Sequence, residues 1–438
     1  MQKKKEPPNG NNPNRNTSYY KARVGKGKKQ KKETSVFMDR AKKRQMNNYR
    51  LALFVLVSLM FAFTGIILLG AWLNSLVVPE NETDITGNLY NDIFTPLITS
   101  PNAAANTNAA PVTEPPQPVD ISTIFYNYNG VYLDVRQIED LDRLQDFIDI
   151  IKSKGINAVN IDIKKEDGSV PYHINGQVDS VVGTANYIDI PIEDIINLLH
   201  KNELYVSGTI ACFKDNLATA PFKNYSLKDS TVAKMVWQDP DGNCWLNAYS
   251  EGAREYIKSI VADSAKLGFD EIILSWFFFP SVANEKSVSY EDNGMTKYAA
   301  VKDFVTEQSF ALNEIAPRVK LGLNIPIKYF LNMPNETMGL NPADLSDRCN
   351  FFATSFAPAD IPSGTKVNGA AVLNPENKPY ETVKALCGHF KYLTDSVNFR
   401  PYLQAFNGYN EDKIVNQRQA LYEYDINVWQ LVNYENIY

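Results

Sequence analysis

The chain has 438 residues, enough for two or three domains, and its net charge of -6 conceals two oppositely charged parts. Residues 1–50 hold 16 Lys and Arg against 3 acidic residues, whereas the rest holds 28 against 47. The cysteines are four and widely spaced with no CxxC pair, which excludes a disulfide-dense mini-domain and a zinc ribbon. With three histidines and no HExxH motif, we expect neither a metal centre nor a cofactor. One disulfide or buried thiols are both open for Cys212, Cys244, Cys349 and Cys387.

The basic segment at residues 1–50 is predicted to be a disordered cytoplasmic tail that touches anionic lipid. Its densest charge lies at Lys26, Lys28, Lys29, Lys31 and Lys32. Such a cluster could also bind nucleic acid, but no aromatic or structural motif supports that alternative. We therefore expect no nucleic-acid partner.

Residues 51–78 contain no charged side chain, and Leu53 to Leu73 is almost continuously apolar. About 20 such residues are needed to cross the hydrocarbon core of a bilayer. We predict one transmembrane helix over 51–78, an uncleaved signal anchor of the cell membrane, with the basic tail in the cytoplasm and the following chain extracellular. A cleaved signal peptide is the main alternative, but the leader is too long and no small-x-small site follows Trp72.

Residues 79–120 are predicted to be an extracellular linker. The segment is rich in Ala, Asn and Thr at 102–108 and in Pro at 111–118, compositions that stay extended and cannot bury a core. The linker would hold the next domain away from the membrane.

From about Ile121, strand and helix patterns alternate to the end of the chain. The predicted strands are Gly130–Val135, Ile156–Ile163, Leu204–Cys212, Ile272–Leu274, Leu321–Ile325, Phe351–Ser355, Tyr402–Ala405 and Asn427–Val432. The predicted helices are Leu141–Lys154, Ile192–Lys201, Glu251–Leu267, Lys297–Ile315, Ala343–Arg348, Tyr380–Leu393 and Asp412–Tyr424. Eight strands separated by helices predict an α/β fold, a (β/α)8 TIM barrel over residues 121–438. An open doubly wound sheet is the alternative, but no glycine-rich GxGxxG or Walker turn supports it.

Functional groups of such a barrel lie just beyond the carboxyl ends of its strands. Those positions hold Asp134, Arg136, Asp162, Lys164, Glu166, Lys214, Asp215, Ser275, Trp276, Asn324, Ser355, Gln404, Asn433 and Glu435. Glycoside hydrolysis usually needs two carboxyl groups across the sugar. Asp162 and Asp215 are the predicted catalytic pair because they follow neighbouring strands, and Glu435 is a third candidate. Structural alternatives are open as well: Asp162 paired with Lys164, and Lys214-Asp215 as a cap.

The same region suits carbohydrate binding, because aromatic rings accept the apolar faces of sugars while polar side chains bind their hydroxyls. The predicted substrate-binding residues are Lys164, Lys214, Trp245, Tyr249, Ser275, Trp276, Gln404, Asn433 and Glu435. The alternative is that the aromatic side chains pack beneath loops. Packing is favoured for Phe277 to Phe279, and it weighs about equally with sugar binding for Trp245 and Trp276.

Several motifs occur in a recognisable order. They are Gly155-Ile-Asn-Ala-Val-Asn-Ile-Asp-Ile-Lys164 with Asp167-Gly168, Phe213-Lys214-Asp215, Trp245-Leu-Asn-Ala-Tyr249, Gly268-Phe-Asp-Glu-Ile272 with Phe279-Pro280, Arg400-Pro-Tyr-Leu-Gln-Ala-Phe406, and Val428-Trp-Gln-Leu-Val-Asn433 with Asn436 and Tyr438. With them, the chain from about Gly130 to Tyr438 resembles the putative glycoside hydrolase domain family of bacterial envelope proteins. The resemblance implies a TIM barrel allied to amylase-type enzymes. Asp162, Lys164, Lys214, Asp215, Gln404 and Asn433 match the family by position.

The fourth strand departs from that family. Its typical pattern there is Phe-Asp-Glu-Ile-Gln-Phe-Asp-Tyr-Val-Arg-Phe-Pro, whereas this chain has Ser275, Trp276 and Phe278 in place of the second Asp, the Tyr and the Arg. Thr209 and Asn247-Ala248 also differ from the family's strand-three Arg and loop Asp-Pro. By the resemblance, the acidic residue ending strand four is the expected nucleophile, and a serine cannot take that role.

We therefore expect a membrane-anchored extracellular protein, similar to glycoside hydrolases, that engages a cell-wall or extracellular polysaccharide. Two classes of function are open. It is a hydrolase with an altered carboxylate set such as Asp162 and Asp215, or it is a non-catalytic descendant that binds glycan or scaffolds envelope proteins.

Overall fold

The computed structural model describes residues 121–185, 187–292, 294–394 and 398–432. The predicted basic tail, transmembrane helix and linker, at residues 1–120, lie outside these ranges. Among the described residues, no helix is both long and apolar enough to cross a membrane.

Eight parallel strands close into a barrel in which each strand pairs with its neighbours in sequence and the last pairs with the first. Their bounds are β1 Asn129–Leu133, β2 Ala158–Lys164, β3 Tyr205–Ala211, β4 Glu271–Ser275, β5 Lys320–Asn324, β6 Phe351–Ser355, β7 Asn398–Gln404 and β8 Trp429–Val432. Closure is direct, since Gly130 aligns with Gln430 on one side and with Ala158 on the other. Closure leaves no sheet edge unpaired.

Helices alternate with the strands. They are α1 Leu141–Ser153, α2 Gly176–Val182, α3 Ile192–Lys201, α4 Glu251–Lys266, α5 Lys297–Ile315, α6 Ile327–Phe330, α7 Pro342–Leu345, α8 Pro379–Thr394 and α9 Glu411–Tyr422. In α3, four apolar residues fall on one face and are buried: Ile192, Ile195, Ile196 and Leu199. That spacing buries one side of each helix against the outside of the barrel. In β4 all five residues are buried, because helices cover one face and the barrel interior covers the other.

The predicted barrel is confirmed within the described residues, with shifts at the ends of elements. The largest strand shift is at β7, which begins at Asn398 rather than Tyr402. Arg400 and Pro401 interrupt the apolar pattern there, yet the Arg400 side chain is buried in the barrel against Glu271. The predicted helix Ala343–Arg348 is the shorter α7.

Several small elements were missed, among them α2, α6 and two pairs of two-residue antiparallel strands, Lys228–Asp229 with Val288–Ser289 and Lys366–Val367 with Ala370–Ala371. Two residues are too few to display a strand period.

The two ends of the barrel differ. At the amino ends of the strands, here called the base, a 3-10 helix at Ile121–Asn127 buries Ile124 and Phe125 in a cluster with Tyr128, Tyr205 and Phe351. The carboxyl ends of the strands form the opposite end, here called the mouth. The polar residues that follow the strands belong to the mouth, because they lie beyond the carboxyl ends, whereas the base is filled with aromatic side chains.

Candidate functional site

The mouth brings together most of the predicted site residues. Seven of them lie near or just beyond the carboxyl ends of β2, β3, β4 and β7: Asp162, Lys164, Lys214, Asp215, Ser275, Trp276 and Gln404. Asn433 and Glu435 lie outside the described residues. The roles assigned to these residues from the sequence stay predictions.

Next to β1 and β2, five side chains form an ionic cluster: Tyr132, Asp134, Arg136, Asp162 and Lys165. The Tyr132 hydroxyl donates to Asp162 Oδ2 over 2.7 Å, and Arg136 binds Asp134 with Nη2 at 2.7 Å. Lys165 Nζ lies 3.5 Å from Asp134 Oδ2 and 3.7 Å from Asp162 Oδ2. The two Oδ2 atoms can therefore be no more than 7.2 Å apart. That limit is compatible with the separations of catalytic carboxyl pairs, ~5–5.5 Å or ~6.5–9.5 Å.

The two carboxyl groups of the cluster have opposite pKa shifts. Burial raises the pKa of Asp162, although the hydrogen bond from Tyr132 and the charge of Lys165 act against it. Burial also acts to raise the pKa of Asp134, but the hydrogen bonds from Arg136 outweigh it and hold that pKa below its usual range. Two neighbouring carboxyl groups whose pKa values are shifted in opposite directions are suited to act as a general acid and a general base.

A groove with a volume of about 660 Å³ adjoins this cluster. Arg136 and Lys165 line it together with Tyr187, which is partly buried. The Lys165 ammonium is 3.5 Å or more from both carboxylates, longer than the ~2.7–2.9 Å of a strong charge-assisted hydrogen bond. Its donors are therefore loosely held, and Lys165 lines a groove with room for a sugar-sized ligand.

Lys164 and Asp215 form a second ion pair, inside the protein. Lys164 Nζ is 2.9 Å from Asp215 Oδ2, and neither side chain has exposed surface. Lys164 also donates to the Ala211 carbonyl over 2.6 Å, and Asp215 accepts from the Ala218 amide over 2.6 Å. Asp215 therefore cannot touch a ligand in this conformation, and Asp134 is the carboxylate that lies beside Asp162.

A bulge in β2 lies between Asp162 and Lys164, just before the two lysines at the end of the strand. Asp162 aligns with Thr209, but Lys164 aligns with Ile210, so two residues of β2 oppose one of β3. Bulges redirect side chains near functional sites. Here Lys164 points into the interior and the adjacent Lys165 reaches the ionic cluster, a distinction that no sequence pattern indicated.

At the end of β4, Ser275 and Trp276 have different environments. Ser275 is 7% exposed and its hydroxyl donates to the Ile210 carbonyl over 3.3 Å. Trp276 has a φ of 50°, which is rare for a bulky residue, and its ring is partly exposed. The backbone is held in place because the Phe213 amide donates to the Trp276 carbonyl over 3.0 Å. The strained residue is thus fixed with its indole at the mouth.

The Trp276 indole is surrounded by aromatic and charged groups. The Trp245 and Phe278 rings each lie with centroids 5.8 Å from it. Lys214 Nζ lies 4.5 Å from the ring centroid and forms an ion pair of 2.7 Å with Glu166 Oε2. Trp276 therefore combines an aromatic surface with polar neighbours.

Three other predicted binding residues have partners within the protein. Trp245 is buried and its Nε1 donates to Asp239 Oδ2 over 3.0 Å. Tyr249 packs on the Phe279 ring at 4.8 Å, beside a separate pocket of about 410 Å³. Gln404 is buried, and its Oε1 accepts from the Ala359 amide over 2.8 Å. Of the three, only Tyr249 has a partly exposed side chain.

Sequence reasoning placed Asp134 at a strand end but gave it no role, and it missed Tyr132 and Lys165. The only signal for Tyr132 was its position two residues before Asp134, on the same face of the predicted strand Gly130–Val135. Among the described residues, no group of three or more His, Cys, Asp or Glu side chains could hold a metal ion.

Comparison with known proteins adds the following. A family model described as "putative glycosyl hydrolase domain" matches residues 130–438. A search of curated proteins found no match.

Among solved structures, the glycoside hydrolase domain of PgaB (BpsB) from Bordetella bronchiseptica is 13% identical with a TM-score of 0.53, covering 69% of this chain and 93% of its own. A hypothetical protein from Ruminiclostridium thermocellum is 27% identical with a TM-score of 0.38, covering 44% of this chain and 96% of its own. The catalytic domain of β-amylase from Paenibacillus polymyxa is 8% identical with a TM-score of 0.42, covering 70% and 92%. The first of these similarities supports the barrel fold.

Proposed function

Because the chain belongs to the family described as "putative glycosyl hydrolase domain", we propose that its barrel binds a cell-wall or extracellular polysaccharide at the mouth without cleaving it. The observation that carries this proposal is the partly exposed Trp276 ring at the mouth, with the charged Lys214 and Glu166 side chains beside it. Sugars need such a combination, since their apolar faces stack on aromatic rings and their hydroxyls bind polar groups.

Ser275 supports the proposed absence of cleavage. A serine that donates to the Ile210 carbonyl and is 7% exposed has neither the charge nor the access of a carboxylate nucleophile. The nearby Asp215 is fully buried against Lys164. Neither residue supports a glycosyl-enzyme intermediate.

We also propose that the barrel is extracellular and tethered to the cell membrane. Support comes from the uncharged segment 51–78, the basic segment before it and the extended linker after it. A tether of this kind would keep the mouth near the wall polymer. The polysaccharide is then the partner, and anionic lipid contacts the basic tail.

A hydrolase is the second candidate function, and one observation favours it. Asp134 Oδ2 and Asp162 Oδ2 are at most 7.2 Å apart, because Lys165 Nζ lies close to both. The pKa values of the two carboxyl groups are shifted in opposite directions. In this alternative, Asp162 is the general acid and Asp134 the base.

One experiment tests both candidates. The purified full chain is incubated with cell-wall and extracellular polysaccharides, and both binding and release of new reducing ends are measured. We expect binding without release, and about tenfold weaker binding for Trp276→Ala, since a lost aromatic contact of about 1.4 kcal/mol corresponds to that factor. Phe310→Ala, which removes an exposed ring on α5, is the matched control and should bind normally.

If the wild type releases reducing ends and Asp162→Asn does not, the function is hydrolysis and not binding alone. Equal binding by Trp276→Ala and the wild type would reject the mouth as the site.

A further inference from the structure

We propose that Lys214 and Glu166 form a displaceable cover over the Trp276 ring, so that a glycan binds only by taking the place of the Lys214 ammonium. This inference rests on the proposed function and adds a mode of regulation to the same site. It also changes the role predicted for Lys214, which competes with the ligand instead of contacting it.

The cover occupies the surface that a sugar would need. Lys214 Nζ lies 4.5 Å from the centroid of the Trp276 ring, a cation–π contact. Its 2.7 Å ion pair with Glu166 Oε2 holds the ammonium in this position. The ammonium and the apolar face of a sugar cannot contact the same part of the ring together.

The cover is exposed enough to open. The Lys214 side chain is 14% exposed and that of Glu166 is 53% exposed. Because half of the Glu166 side chain is in contact with solvent, this ion pair is screened by water and contributes far less to stability than a fully buried pair. Displacing the ammonium therefore needs only a change of side-chain conformation and a modest free energy.

A neighbouring ion pair keeps the backbone fixed while the cover moves. Lys164–Asp215 joins the same two segments as Glu166–Lys214, but its side chains have no exposed surface. Gly168 adds to this anchor, because a Cβ at that position would approach Asp215 Oδ1 to 2.1 Å. The buried pair holds the two segments together, and the exposed pair is free to separate.

Two measurements on the full chain test the cover. The first is quenching of tryptophan fluorescence by acrylamide, which needs no glycan. We expect Lys214→Ala to raise the quenching constant about twofold, and this rise to vanish when Trp276 is also replaced by Phe. The other described tryptophans, Trp237, Trp245 and Trp429, are buried, so the Trp276→Phe background isolates the ring concerned.

The second measurement is polysaccharide affinity, which we expect Lys214→Ala to increase about two- to fivefold, the factor that loss of one exposed cation–π contact implies. Glu166→Gln keeps the lysine but removes its ion-pair partner, and it should give a smaller increase of both readouts. Lys297→Ala is the matched control: Lys297 pairs with Glu285 at 3.0 Å and lies 4.0 Å from the Tyr290 centroid, also 14% exposed. It should change neither readout.

Unchanged quenching in both Lys214→Ala and Glu166→Gln would overturn the cover. Weaker polysaccharide binding by Lys214→Ala would also overturn it, because Lys214 would then be a ligand contact. Increased quenching in a protein that binds no polysaccharide would support the cover and reject the proposed function, which separates the two failures.

Discussion

Arg400 and Glu271 form an ion pair inside the barrel, close to the base. Arg400 is 2% exposed and Glu271 is fully buried, and Arg400 Nη2 donates to Glu271 Oε2 over 3.2 Å. The guanidinium carbon lies 3.5 Å from the Tyr128 ring centroid and 4.0 Å from that of Phe351. Two opposite charges are thus desolvated together between aromatic rings, and within the described part of the chain neither forms a second ion pair.

We expect Glu271→Gln to lower the free energy of unfolding by about 3–5 kcal/mol, because it leaves the Arg400 charge buried and uncompensated. The measurement is the urea unfolding midpoint followed by circular dichroism. Glu411→Gln is the control, since it breaks an exposed ion pair with Lys154 and should cost about 1 kcal/mol or less. If both variants lost a similarly small free energy of unfolding, the buried charge of Arg400 would not need Glu271 for its stabilisation.

The long connection between β3 and α4 contacts the mouth, and the carboxylate of Asp239 holds this part of the connection together. Asp239 accepts hydrogen bonds from the amides of Asp241 and Asn243 at 3.0 and 2.9 Å and from Trp245 Nε1 at 3.0 Å. Trp245 in turn contacts the Trp276 ring. Burial acts to raise the pKa of Asp239, but the hydrogen bonds from Trp245 and Asn243 hold it below its usual range.

The lowered pKa of Asp239 predicts a pH dependence of stability. Because the folded-state pKa is below the unfolded value, the stabilisation is fully present above about pH 4 and is lost as pH falls through the folded-state pKa. We expect Asp239→Asn to lower stability at pH 7 by about 1 kcal/mol, allowing for solvent screening of this partly exposed group. Thermal unfolding measured from pH 7 to pH 3 checks this.

The difference between wild type and Asp239→Asn should shrink as the pH is lowered. A constant difference at every pH would instead assign the effect to the neutral hydrogen bonds. Asp241→Asn is the control, because Asp241 lies two residues away in the same turn, is exposed, and donates to Asp239 with its backbone amide.

The whole chain divides into a basic part and an acidic part on either side of an uncharged segment. Residues 1–50 carry 16 Lys and Arg against 3 acids, and the residues after 78 include the acidic barrel domain. Such an arrangement suits a protein with one part at an anionic membrane surface and another outside. The described residues contain no helix that could cross the membrane, so the proposed anchor depends on the segment 51–78.

We expect the full chain to sediment with membranes and to stay there after washing with high salt or alkaline carbonate. A variant without residues 51–78 should become soluble, whereas one without the basic residues 21–50 should stay bound, because about 20 apolar residues anchor far more strongly than lipid electrostatics. Protease added outside intact cells should digest the barrel domain. Release of the full chain by salt alone would contradict the anchor.

Much of the fold was predictable because helices and strands display their periods locally. Phe351–Ser355 and Ile192–Lys201 have the predicted bounds, since apolar spacing and flanking residues define both. The start of β7 was not predictable, because Arg400 looks like a strand breaker until Glu271, 129 residues away, is placed beside it. Whether a charge can be buried depends on a partner distant in sequence.

The site was predictable to the level of a region. That charged and aromatic residues follow the strands could be seen in the sequence, and so could Ser275 at the end of β4. The sequence could not distinguish Lys164 from Lys165, or Asp215 from Asp134, as groups that face the mouth. A bulge in β2 and a buried ion pair decide both choices.

The sequence by itself determined the barrel and the charge asymmetry, because each is a property of local composition or order, and the family resemblance added that Ser275 stands where a carboxylate is typical. Only the tertiary structure decided that Asp162 lies beside Asp134 and that Lys214 covers Trp276. Those relations depend on strand register and on the directions of side chains from different strands. Register and direction are set by packing across the whole barrel, and a one-dimensional pattern does not contain them.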